Sequence, residues 1–144
     1  MLYNSSNIGS LHLTDGYKLD HRRQYPKGIS FVYSNLTARQ SRVEGVDKVV
    51  FFGLKYYIER YLIEQFNQWF STPKSIAIDS YISLVKEYLG PDALGGDFSH
   101  VEALHDLQYL PILVKALPEG SKVGIGIPML TITNTHPDFF WLTN

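Results

Sequence analysis

At 144 residues, with 44% hydrophobic and 19% charged residues, the chain is long enough for one domain with a substantial core. No apolar run approaches the ~18 residues of a membrane span, and the absence of cysteine excludes disulfides, thiolate metal sites and a thiol nucleophile. Thirteen Lys and Arg against fourteen Asp and Glu leave a net charge of -1, which provides no general attraction for nucleic acid.

The N-terminal stretch Met1-Leu2-Tyr3-Asn4-Ser5-Ser6 lacks the basic and apolar regions of a signal peptide, and the absence of cysteine is compatible with a cytoplasmic protein. Thr14 is placed to cap a short helix running to about Gln24, ended by Pro26 and Gly28. Residues 29–38 alternate in part and predict a strand. Gly45-Val46-Asp47 is a turn, and Val49-Val50-Phe51-Phe52 a short buried strand or an extended lead-in. From Leu54 the period changes. Leu54, Tyr57, Ile58, Tyr61, Leu62, Phe66, Trp69 and Phe70 form a helical stripe that reads as core rather than as a ligand box.

Thr72-Pro73 has the form of a cap and first-turn proline for a second amphipathic helix, carrying Ile78, Tyr81, Ile82, Val85, Tyr88 and Leu89 to Gly90-Pro91. Ser99-His100-Val101-Glu102 has capping-box form for a third. After Pro111 the pattern is strand-like: residues 112–117, a turn at Pro118-Glu119-Gly120, then one or two strands over 123–133 interrupted by Gly and Pro. Strand, helices and strands together predict an α+β fold in a single domain over residues 1–144.

Few motifs carry chemistry. His100 and His105 are five apart, about 140° around a helix at ~100° per residue, so they do not form a zinc-protease pair. Gly124-x-Gly126 lacks the rest of a dinucleotide fingerprint and reads as a turn or bulge. The dense segment is Asp15, Tyr17, Lys18, His21, Arg22, Arg23 and Tyr25. Lys18, Arg22, Arg23, Lys27, Arg39 and Arg42 there face Asp20 as the one acid of residues 18–42. Such a field suits either a phosphate ligand or a solvated basic face. Asp15 and Tyr17 stand in the first turn of the predicted helix, where unpaired backbone N–H groups favour anions, and Arg39 could fork onto a phosphate. Equally, Asp15 reads as a plain cap, Tyr17 as packing and the arginines as solvated. At the other end, Phe139-Phe140-Trp141 puts three aromatics near the last residue, where they must find cover within the domain or on a partner.

Several short blocks, in order, resemble the N-terminal part of the nicotinamide phosphoribosyltransferase family. They are Thr14-Asp15-Gly16-Tyr17-Lys18, Gln24-Tyr25-Pro26, Val32-Tyr33-Ser34 with Arg39, and Val50-Phe51-Phe52-Gly53-Leu54. Leu110-Pro111, Lys115-Ala116-Leu117-Pro118-Glu119-Gly120, Asn134-Thr135-His136-Pro137 and Trp141-Leu142-Thr143-Asn144 complete the set. Residues 71–109 contribute little to the match.

The resemblance implies the N-terminal domain of a type II phosphoribosyltransferase-like enzyme, truncated before its barrel region. It implies a cytoplasmic homodimer with active sites between subunits, joining nicotinamide to 5-phosphoribosyl-1-pyrophosphate in NAD salvage. Mg2+ is the implied cofactor, bound mainly through the missing region, and ATP an auxiliary substrate hydrolysed through a phosphohistidine. The implied substrate-binding residues are Tyr17, stacking on the nicotinamide ring in the partner's site, Asp15 beside it, and Arg39 at the phosphates.

Gly16 stands where related enzymes often have serine. No catalytic residue and no metal ligand of the family falls within this chain, so none of its five histidines inherits the phosphohistidine role. The chain is therefore expected to be inactive alone and to self-associate through its aromatic end. The alternatives are a nicotinate phosphoribosyltransferase, or a short non-catalytic binding or assembly module.

Overall fold

The computed structural model describes residues 10–144. They fall into two compact units, one holding the chain up to Lys27 with Ile58–Leu110, the other holding Gly28–Tyr57 with Pro111–Asn144. The mixed helical and sheet content is the α+β arrangement that the changes of hydrophobic period predict.

The second unit is built on a three-stranded antiparallel sheet. Its order is β1 (Tyr33–Thr37), β5 (Pro128–Asn134), β3 (Ile112–Ala116). The last strand in sequence is central because it pairs on both sides: Ser34 and Val114 both face Ile132 in register. Pro128 cannot donate to a ladder and sits at the first position of β5, where the register with β1 also slips between Leu36 and Thr37. A smaller antiparallel pair joins β2 (Lys48–Val50) to β4 (Lys122–Gly124). Phe51, Val123, Met129 and Leu130 form the core here, with Val49, Leu54 and Ile132 packed on it.

Two of the family-like blocks meet in this unit for a structural reason. The Phe51 N–H donates to the Ser121 carbonyl at 2.9 Å, and the Gly120 N–H to the Phe51 carbonyl at 2.8 Å. Glu119 then accepts from the Lys55 N–H at 2.8 Å, satisfying an orphan donor at the start of α2 (Leu54–Tyr57). The closing segment Pro137–Thr143 winds as a 3-10 helix with Phe139 and Thr143 buried and Phe140 and Trp141 half-buried. It lies against β5, so the terminal aromatics find cover within the chain.

In the first unit, α1 (His21–Gln24) follows a 3-10 turn over Gly16–Asp20. The long stripe from Leu54 is not one regular helix: Ile58–Glu64 is π-helical, and α-geometry resumes in α3 (Gln65–Ser71). Of the stripe, Phe66, Trp69 and Phe70 are buried, Leu54, Ile58, Tyr61 and Leu62 are half-buried, and Tyr57 is exposed. α4 (Lys74–Leu89) and α5 (Ser99–Leu107) pack through Val85, Val101 and Leu104, all fully buried. Tyr81 is buried in the same core, which pushes its phenol up to about 12. His105 places its ring edge-on to Trp69 at 4.9 Å, with Nε2 3.0 Å from the Thr72 carbonyl.

Three capping expectations change. Asp15, not Thr14, precedes the first turn, and its side chain makes no cap. Thr72 turns its hydroxyl back to the Gln68 carbonyl at 3.0 Å, closing α3 rather than opening α4. Asp97 displaces Ser99 as the polar group at the start of α5, accepting from the Ser99 N–H at 3.0 Å and from its hydroxyl at 2.6 Å.

Candidate functional site

Asp15, Gly16, Tyr17 and Lys18 form the tight turn that opens the first unit. The Lys18 N–H closes it on the Asp15 carbonyl at 2.8 Å. Tyr17 is 60% exposed, so its ring is not core. The ring is tilted against that of His21, with centroids 5.2 Å apart. The Asp15 carboxylate also stays at the surface, 3.9 Å from the Lys18 ammonium. An accessible aromatic face with a carboxylate beside it suits a planar, polar ring.

The basic cluster resolves into separate roles. Arg23 forks onto Asp20, with Nε–Oδ1 at 2.6 Å and NH2–Oδ2 at 3.0 Å; this bonding holds the Asp20 carboxyl below its ordinary pKa. Arg22 reaches Asp97 at 3.7 Å. Asp97 is lowered chiefly by its bonds from Ser99, with Arg22 adding to the effect. Arg23 is thus committed to Asp20, while Lys18 and Arg22 lie beside Asp15 and Asp97 at distances longer than a hydrogen bond. Arg39 differs. It follows β1 in the second unit, is exposed, and has no ion pair among the described residues.

The structure therefore places Asp15 and Tyr17 together on one turn of the first unit and Arg39 on the second. No group of three His, Asp or Glu side chains among the described residues could hold a metal ion. His100 and His105 are both buried in α5. One residue escaped the sequence reading. Tyr88 shares a helical face with buried Tyr81, yet at the end of α4 it is 62% exposed, with its ring against Gly16. Its place in the apolar stripe concealed it, since periodicity does not report where the core stops.

Comparison with known proteins agrees with the blocks. Residues 9–69 match the family model described as nicotinamide phosphoribosyltransferase, N-terminal domain. The chain is 47% identical to a nicotinamide phosphoribosyltransferase of Acinetobacter baylyi, across 97% of its own length and 28% of the relative's. It is 33% identical to one of Xanthomonas campestris pv. campestris, across 90% of the chain and 25% of that protein. The crystal structure of human nicotinic acid phosphoribosyltransferase matches 90% of this chain and 24% of its own, with a TM-score of 0.56 and 22% identity, a likeness of fold. The chain thus spans about a quarter of the length of these relatives.

Proposed function

We propose that this chain, which corresponds to the N-terminal part of a nicotinamide phosphoribosyltransferase, supplies one wall of the active site of the assembled enzyme. The observation that carries this reading is Tyr17: an aromatic ring held on a closed turn and 60% exposed. Tyr17 would stack on nicotinamide, Asp15 would lie beside the ring's amide, and Arg39 would bind a phosphate group of 5-phosphoribosyl-1-pyrophosphate. The reaction forms the bond between the ring nitrogen and ribose C1 as the C1–oxygen bond breaks. Pyrophosphate leaves with the bonding pair, giving nicotinamide mononucleotide for NAD salvage.

This chain's part in the reaction is binding and orientation. A stacked ring loses the freedom to turn its nitrogen away from C1, which lowers the entropic share of the barrier. An arginine fork fixes the phosphate end and answers charge on the leaving group. No residue here is assigned as catalytic. Mg2+ would neutralise the pyrophosphate; the described residues gather no ligand set for it, so no step is derived through it. ATP would be an auxiliary substrate of the complete enzyme, which is read as a cytoplasmic homodimer with its sites between subunits. Among the described residues no helix is long and apolar enough to cross a membrane.

The test is to join this chain to the remaining sequence of the Acinetobacter baylyi relative and assay nicotinamide mononucleotide. The joined enzyme is expected to be active and the 144-residue chain alone inactive. Rapid turnover by the chain alone would overturn the division of labour. The nicotinate alternative is tested on the complete native protein by competition between the two bases, where preference for nicotinate would favour it.

A further inference from the structure

Gly16 is a glycine for a different reason from most in this chain. Gly28, Gly53, Gly90, Gly120 and others occupy positive φ, where a side chain is disfavoured, but Gly16 does not. What it provides is room. A Cβ built on Gly16 would lie 2.7 Å from the Tyr88 hydroxyl oxygen and would overlap Cζ and Cε1 of that ring. The Tyr88 ring therefore occupies the space that a side chain at position 16 would fill, pressed on the backbone between Asp15 and Tyr17. It reaches there from the last turn of α4, whose earlier turns are anchored in the core by Ala77, Ile78, Tyr81 and Val85. A rigid helix thus bears, through one aromatic ring, on a short turn closed by the bond from Lys18 N–H to Asp15 and anchored beyond it by buried Leu19.

The geometry points to Tyr88 as a positioning residue for Tyr17, with Gly16 and Tyr88 acting as a pair: the glycine admits the ring, and the ring holds the turn. This rests on the proposed ring-binding role of Tyr17 for its functional consequence, but the mechanical coupling stands apart from it. The ring atoms nearest position 16 are Cζ and Cε1, with the hydroxyl farther off, so Phe, which keeps both, should replace it.

The coupling is tested on the full chain by 15N relaxation of the Tyr17 and Lys18 amides, with the Val85 amide as a reference for the core. The wild type is expected to show rigid values of about 0.85 at all three. Tyr88→Ala and Gly16→Ala should each lower the Tyr17 and Lys18 values to below about 0.6 while Val85 is unchanged. Tyr88→Phe should stay rigid, and Gly16→Ala with Tyr88→Ala should be no worse than Tyr88→Ala alone. A turn that remains rigid in Tyr88→Ala, or additive loss in the double variant, would overturn the inference. In the joined enzyme, Tyr88→Ala should raise KM for nicotinamide at least fivefold with KM for 5-phosphoribosyl-1-pyrophosphate unchanged, and Tyr88→Phe should restore it. Loss of order at the turn with no change in KM would support the mechanical pairing and remove Tyr17 from the site.

Discussion

Asn134 and Val32 are joined across 102 residues of sequence: the Asn134 Oδ1 accepts from the Val32 N–H at 2.9 Å. The same side chain donates from Nδ2 to the Ser30 carbonyl at 2.8 Å and to the His136 carbonyl at 2.9 Å. Asn134 is buried, and its amide ties the lead-in to β1 onto the end of β5. The family-like block Asn134-Thr135-His136-Pro137 has a structural purpose here.

Asn134→Ala leaves three backbone groups without that partner and should cost about 3 kcal/mol. Urea unfolding followed by tryptophan fluorescence checks this. A loss below about 0.5 kcal/mol would mean that other groups or water take over the bonds.

Glu119 plays a comparable part at the start of α2. Glu119→Ala removes the acceptor for Lys55 N–H and is expected to cost about 1 kcal/mol, since the site is exposed and water can replace the bond. Unfolding at matched pH reads the difference.

His100 predicts an acid response. Burial first, and the Arg22 charge second, lower its pKa from 6.5 to about 4, with Asp97 opposing. The unfolded chain takes up its proton near 6.5, so it binds more protons than the folded chain as pH falls from there. The stability is complete above pH 6.5 and is lost progressively down to about pH 4, a contribution of ~3 kcal/mol. His12 is lowered by burial in the same direction. Unfolding measured at pH 7 and pH 4.5 should show His100→Gln less acid-sensitive than the parent, whatever its stability at pH 7.

The arginines are expected to separate by role. In the joined enzyme Arg39→Ala should raise KM for 5-phosphoribosyl-1-pyrophosphate about tenfold, as loss of a phosphate fork does. Arg23→Ala, whose guanidinium is engaged by Asp20, should leave it within about twofold. Equal effects would mean that charge acts at a distance rather than through a contact.

Much of this was legible in the residues. The change from alternation to a helical period at Leu54, and back after Pro111, is the α+β order of the chain. Spacing did not decide the caps: no side chain caps the turn at Gly16, the Thr72 hydroxyl turns back to Gln68, and Asp97 takes the donors of Ser99. The π-helical stretch at Ile58–Glu64 left no mark, since its apolar positions fit an α stripe equally well. At the site, the exposure of Tyr17 needed coordinates. So did the engagement of Arg22 and Arg23, because their carboxylates lie at Asp97, far along the chain, and at Asp20, which composition counts only as charge.

Steady-state kinetics of Tyr17→Ala and Tyr17→Phe in the joined enzyme decide whether Tyr17 forms the ring-binding wall. KM for nicotinamide should rise about tenfold or more in Tyr17→Ala and be nearly restored in Tyr17→Phe, where the stacking face is kept. An unchanged KM for nicotinamide in Tyr17→Ala would take Tyr17 out of the site.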